Sequence, residues 1–294
     1  DVQFERGDIS QSMATTRSLL ALEQDPRRPS SLGPILWREW IPLAITQAQL
    51  GDASGAARSL QGYAKDAREF AAQAAPGNPR RRLMAAPEQI LAGRVQLAAG
   101  ENQAAYDTAS AVIARTDAVQ LPADDQSSVT LQNNLLYGAL STAANGALRM
   151  GHLAQAEALA RRWLALPPNP RSEDDPLLRT SSARATLANA IALQGRTDEA
   201  RTMLQPALAY YAREQEAGAK GTTFRGDYAY ALYVSSLTEA ADPAKRRSAL
   251  DQASALVAGA STEAQSLADM RELTRLIASG RSAKAIGTVA AASN

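Results

Sequence analysis

The stretch that decides the fold is MGHLAQAEALARRWLALPPNP, Met150–Pro170. A glycine is followed by an alanine-rich amphipathic run and then by a proline-rich stop. Glycine suits the left-handed turn that closes one helix, and the prolines end the next. Three other stretches carry the same order. LAITQAQLGDASGAARSLQGY holds Gly51, ILAGRVQLAAGENQAAYDTAS holds Gly100, and ATLANAIALQGRTDEARTMLQ holds Gly195. With Gly151 the spacings are 49, 51 and 44 residues. The motif is therefore one copy of a repeat.

Two further columns keep register with the glycines. Five residues after each stands Ala56, Ala105, Ala156 or Ala200. Seven residues before each stands Ala44, Gly93, Ala144 or Ala188. Small residues in both columns are what two closely crossing antiparallel helices require.

These residues resemble the tetratricopeptide repeat family. The likeness lies in the small–x₆–Gly–x₄–Ala frame, in Pro168 lying 17 residues after Gly151, and in Trp40 lying eleven before Gly51. It covers about Trp37 to Tyr211 and is best from Tyr137 to Pro170. The period departs from the family's, which is about 34 residues. The resemblance implies an all-α fold of stacked antiparallel helical hairpins in a right-handed α-solenoid. It implies protein–protein interaction rather than catalysis, in a concave groove lined by the first helix of each hairpin.

Composition agrees with helices. Of 294 residues, 63 are alanine, the strongest helix former, and aromatics are 5%. Valine and isoleucine are sparse, and no segment alternates as a half-buried strand would. The net charge of +1 favours neither nucleic acid nor an acidic membrane surface. No apolar run approaches the roughly 20 residues that span a bilayer, so no membrane insertion is expected in this segment. The absence of cysteine rules out disulfide, thiol and zinc–thiolate chemistry. It also suits an exported bacterial protein, so a periplasmic location is expected over a cytoplasmic one. Four lysines against 27 arginines point to a GC-rich bacterial genome.

The periodicity predicts helices at 10–24, 34–50, 54–73, 86–99, 102–117, 124–150, 153–166, 174–194, 197–217, 223–240, 243–258 and 261–279. One repeat domain over 1–280 is expected, with hairpins turning at Gly7, Gly51, Gly100, Gly151, Gly195 and Asp242. The last helix, 261–279, reads as a polar-faced cap, and 281–294 as a flexible tail. Asp227 and Thr222 compete as N-cap of the tenth helix. Only six residues precede Gly7, which suggests that the natural protein continues upstream.

A search for chemistry yields little. The single histidine, His152, directly follows a turn glycine and reads as an exposed turn residue. No HExxH, GxSxG, phosphate-binding loop or dinucleotide fingerprint occurs. Asp124–Asp125 and Glu173–Asp174–Asp175 precede predicted helices, where negative charge is stabilised by the dipole. The clusters Arg80–Arg82, Arg161–Arg162 and Arg246–Arg247 lack the aromatic interleaving of a nucleic-acid face. Tyr230, Tyr233 and Leu237 share a helix face and read as core, with an aromatic ligand platform as the alternative. Trp37, Trp40 and Trp163 read as core anchors. No cofactor, metal or catalytic group is expected.

The resemblance places one more column in the groove, six residues before each turn glycine: Ile45, Arg94, Asn145 and Asn189. Arg149 lies one turn after Asn145, and Arg38 is within reach of the first hairpin. Arg94, Asn145, Arg149 and Asn189 are the candidate binding residues. They would favour a protein or peptide that is acidic or offers a C-terminal carboxylate. The favoured function is a scaffold or regulatory module of a larger bacterial signalling protein. A ligand-sensing domain of a receptor kinase or transcription regulator is the alternative, followed by a structural assembly subunit and, last, an enzyme. The oligomeric state stays open.

Overall fold

The computed structural model describes residues 2–23, 39–72, 83–122, 125–167 and 176–282. Every regular element among them is helical. They are α1 (Val2–Arg6), α2 (Ile9–Glu23), α3 (Trp40–Gln49), α4 (Ala53–Ala72), α5 (Ala86–Ala98), α6 (Asn102–Asp117), α7 (Gln126–Arg149), α8 (Leu153–Leu164), α9 (Pro176–Leu193), α10 (Thr197–Glu216), α11 (Thr222–Thr238), α12 (Pro243–Ala258), α13 (Thr262–Gln265) and α14 (Ala268–Ser282). No described helix is long and apolar enough to cross a membrane. The chain forms two compact units, one within Ile9–Glu173 and one joining Asp1–Asp8 to Asp174–Asn294.

The glycines act as their positions predict. Gly7, Gly51, Gly100, Gly151 and Gly195 have φ between 77° and 85°, the left-handed region closed to most side chains. Each closes its helix with the same two bonds. At Gly151 its own N–H reaches Leu148 O at 3.0 Å, and the His152 N–H reaches Ala147 O at 2.9 Å. This is the Schellman arrangement, which satisfies carbonyls that a helix end would leave orphaned. The same turn recurs at Gly218 (φ 93°), between α10 and α11, where the repeat frame gives no warning of it.

Across four of these glycines the chain folds back as a hairpin: α3 on α4, α5 on α6, α7 on α8 and α9 on α10. The small-residue columns lie at the crossings. Ala44, Ala144 and Ala188 have no exposed surface, and neither have Ala105, Ala156 and Ala200, while Ala56 keeps 2%. Gly93 fills the same column on α5, where a Cβ would stand 3.6 Å from Ala105 O, and Gly146 lets α7 lie close to α6. A Cβ on Gly146 would stand 3.1 Å from Asn102 O of α6. A fifth hairpin, α11 on α12, turns without glycine. Asp242 instead caps α12, accepting from Ala244 N and Lys245 N, with Pro243 in the first turn.

Within each unit the first helices of successive hairpins also pack side by side: α3 with α5 and α5 with α7 in one, α9 with α11 in the other. Gly138 of α7 admits Ile90 of α5, since a Cβ there would sit 2.9 Å from Ile90 Cγ2. The aromatics fill the cores. Trp40 lies against Gly62 and donates Nε1 to Asp66 at 2.8 Å. Trp163 is 5% exposed and meets Tyr137 edge-on at 5.4 Å. Tyr211, Phe224 and Tyr228 form one ring cluster, with Tyr211 stacked on Tyr228 at 5.5 Å.

Some expectations shift. Neither Asp227 nor Thr222 is the N-cap of α11: Gly221 holds that place, Thr222 is the first helical residue, and Asp227 lies mid-helix. The terminal helix expected at 261–279 is two helices, broken at Ser266–Leu267 after Ser261 caps α13, and the second runs on to Ser282. Asp125 does cap α7, accepting from Ser128 N at 3.0 Å. Trp37, Arg38, Arg80–Arg82, Asp124, Glu173–Asp175 and the tail 283–294 lie outside the described residues.

Candidate functional site

The predicted binding row divides between the units. Arg94, Asn145 and Arg149 belong to the first, on the paired helices α5 and α7, and Asn189 belongs to the second, on α9. The repeat frame aligns them by position, but the four have different surroundings.

Arg94 is exposed, and it makes no hydrogen bond or ion pair with a described residue. Desolvation by the surrounding protein lowers its pKa from the usual arginine value, against an opposing effect of Tyr137. Arg94 is thus accessible on α5, and Tyr137 of the neighbouring α7 is close enough to act on its charge. Asn145 is half-buried two turns further along α7, and its Nδ2 donates to Ser141 O at 2.9 Å. Its amide oxygen can still accept from a ligand.

Arg149 has structural work as well. Its Nη1 donates to Leu97 O at 3.0 Å, in the last turn of α5. A cation there meets the negative end of the helix dipole and fastens α7 to α5. Asn189 is 6% exposed. Its Nδ2 donates to the Tyr230 hydroxyl at 2.8 Å, which covers the amide from α11. Its Oδ1 is buried with no partner. Asn189 therefore closes a seam between α9 and α11.

The same seam holds a residue that sequence reasoning assigned elsewhere. Asp227 of α11 has its pKa raised from 3.8 to about 7. Burial is the main cause, followed by the charges of Glu5 on α1 and Asp269 on α14, and a hydrogen bond with Ser182 of α9 works against them. Its signal in sequence was weak: one acid three residues before Tyr230, on an otherwise apolar helix face.

The remaining candidates have structural partners or open positions. His152 is exposed at the turn before α8. Arg161 pairs with Glu157 at 2.7 Å, Arg162 with Asp117, and Arg246 donates to Gly280 O. Among the described residues no group of three or more His, Asp or Glu side chains could hold a metal ion. A depression of about 580 Å³ lies between α4 and α5. Leu60, Ala64 and Ala92 floor it, the Arg68–Glu88 ion pair at 2.9 Å spans it, and none of the predicted row lines it. The chain matches no family model, no curated protein and no solved structure.

Proposed function

We propose that this chain is a non-catalytic interaction module. It takes an extended peptide or protein segment along the first helices of hairpins that stack, within each unit, as a tetratricopeptide-like right-handed α-solenoid. The observation that carries this reading is Arg94, a crowded, accessible guanidinium with no anionic partner among the described residues. Such a group gains most from a carboxylate, which it can hold bidentately. Asn145, in the same column one hairpin on, adds an acceptor for a peptide N–H. The ligand class is accordingly an acidic segment or a C-terminal carboxylate. The role as a regulatory or sensor region of a bacterial signalling protein rests on the resemblance to tetratricopeptide arrays, and the arginine-rich, cysteine-free composition supports a bacterial, periplasmic setting.

A library of random peptides with free C-termini, and the same library amidated, tests the reading. The full chain is expected to retain a subset of free peptides. Amidation, or Arg94→Ala, is expected to weaken them about tenfold, the equivalent of one charged hydrogen bond of about 1.4 kcal/mol, and the double substitution Arg94→Ala/Asn145→Ala further. Retention that neither change affects, or no retention at all, overturns it.

A further inference from the structure

The short helix α1 lies on the N-terminal end of α11 and is fastened there by polar contacts. The Glu5 carboxylate accepts from Thr223 N at 3.1 Å and from Thr223 Oγ1 at 2.5 Å. Thr222 Oγ1 donates to Phe4 O at 2.8 Å, and Ser261 Oγ donates to Gly7 O at 2.7 Å. Gly221 leaves room for the clasp, because a Cβ there would stand 2.2 Å from Glu5 Oε2. One turn into α11, Asp227 feels the charges of Glu5 of α1 and Asp269 of α14 and shares a hydrogen bond with Ser182 of α9. The other elements packed on α11 aim their charges elsewhere: Glu216 of α10 acts on Tyr228, Arg246 of α12 and Arg275 and Glu272 of α14 act on Tyr233, and Arg201 of α10 pairs with Glu239. Among the described residues no cation shifts Asp227.

We propose that α1 is a pH-sensitive strap, held on α11 while Asp227 carries its proton and loosened when Asp227 ionises beside Glu5 and Asp269. The coupling follows from reciprocity. Docked α1 brings the Glu5 charge to Asp227 and shields it from water, so docking favours the protonated acid. Protonation in turn favours docking. Release frees the Thr222–Thr223 end of α11.

Hydrogen–deuterium exchange of the full chain between pH 5 and 9, corrected for the intrinsic rate, reads the strap directly. The Gly7 and Asp8 amides report on it, since they bond to Phe4 O and Gln3 O, and the amides of α6 serve as internal reference. Protection at Gly7 and Asp8 is expected to fall by up to about tenfold per pH unit as pH rises toward the Asp227 midpoint, then to level off. Asp227→Asn is expected to keep full protection at pH 9. Gly221→Ala, which evicts the Glu5 carboxylate, is expected to lose protection even at pH 5. Protection that is flat with pH in the unsubstituted chain overturns the proposal, as does a fall that Asp227→Asn retains. The unsubstituted profile decides even if a variant fails to fold.

Discussion

The seam between α5 and α7 and the seam between α9 and α11 are built alike and finished differently. Each pairs the first helices of two hairpins, and each has buried alanine at the crossings behind it. In the first seam the column six residues before the turn glycine carries Arg94, accessible and without a partner among the described residues, beside half-buried Asn145. In the second the same column carries Asn189, sealed under Tyr230, and the half-buried acid Asp227 lies one turn away. The repeat frame fixes which helix face a residue occupies. Whether that residue meets water depends on what the next helix sets against it: a phenol at Tyr230 closes the amide over, while Gly138 of α7 receives Ile90 of α5 and Arg94, one turn after Ile90, stays exposed.

The shared part of the comparison should break alike in both units. Ala105→Leu and Ala200→Leu force a larger side chain into a crossing with no exposed surface. Each is expected to lower unfolding free energy by about 1–3 kcal/mol in urea titration, with similar cost in the two units. A tolerated leucine in either would show that the columns are not equivalent.

The unshared part should appear with pH. The Asp227 pKa is raised in the folded state, to about 7 from 3.8, so its own contribution to the unit's stability is greatest below the lower value. That stability is lost as pH rises through about 7 and no further above it. Asp227→Asn is expected to raise the urea midpoint at pH 8 and leave it nearly unchanged at pH 4. The α5–α7 seam has no such group, and Arg94→Ala is expected to be pH-neutral over the same range.

Smaller effects sharpen the contrast. Tyr230→Phe strips the Asn189 amide of its bonded partner and is expected to cost about 1 kcal/mol. Arg149→Ala removes the tie to Leu97 O and is expected to cost about 0.3–1 kcal/mol, diminishing in high salt. Arg94→Ala is expected to stay within about 0.5 kcal/mol, as for a side chain that bonds nothing among the described residues.

Much of the helical framework was legible in the sequence because glycine and alanine leave a positional signature. The turns at Gly51, Gly100, Gly151 and Gly195, and the columns at Ala56, Ala105, Ala156 and Ala200, follow from backbone sterics that no distant residue can alter. Gly218 escaped because it ends a second helix, outside the frame that marks the hairpin turns. The break after α13 escaped because Ser261 and the turn at Ser266 look like ordinary surface polarity within a helical period. The row of candidate binding residues was legible only as a column. The tie of Arg149 to Leu97 O and the cover of Tyr230 on Asn189 join residues 52 and 41 positions apart. Asp227 was misread as a cap because its meaning comes from Glu5, 222 positions earlier in the chain.

Fluorescence anisotropy on the full chain, with one free-carboxylate peptide drawn from the library, distinguishes three single substitutions. Arg94→Ala is expected to weaken binding about tenfold with unfolding free energy unchanged. Asn145→Ala is expected to weaken binding less, and Asn189→Ala to alter stability and leave affinity as it was. Equal loss of affinity for all three, or loss only with Asn189→Ala, would contradict binding at Arg94 and place the ligand outside the α5–α7 seam.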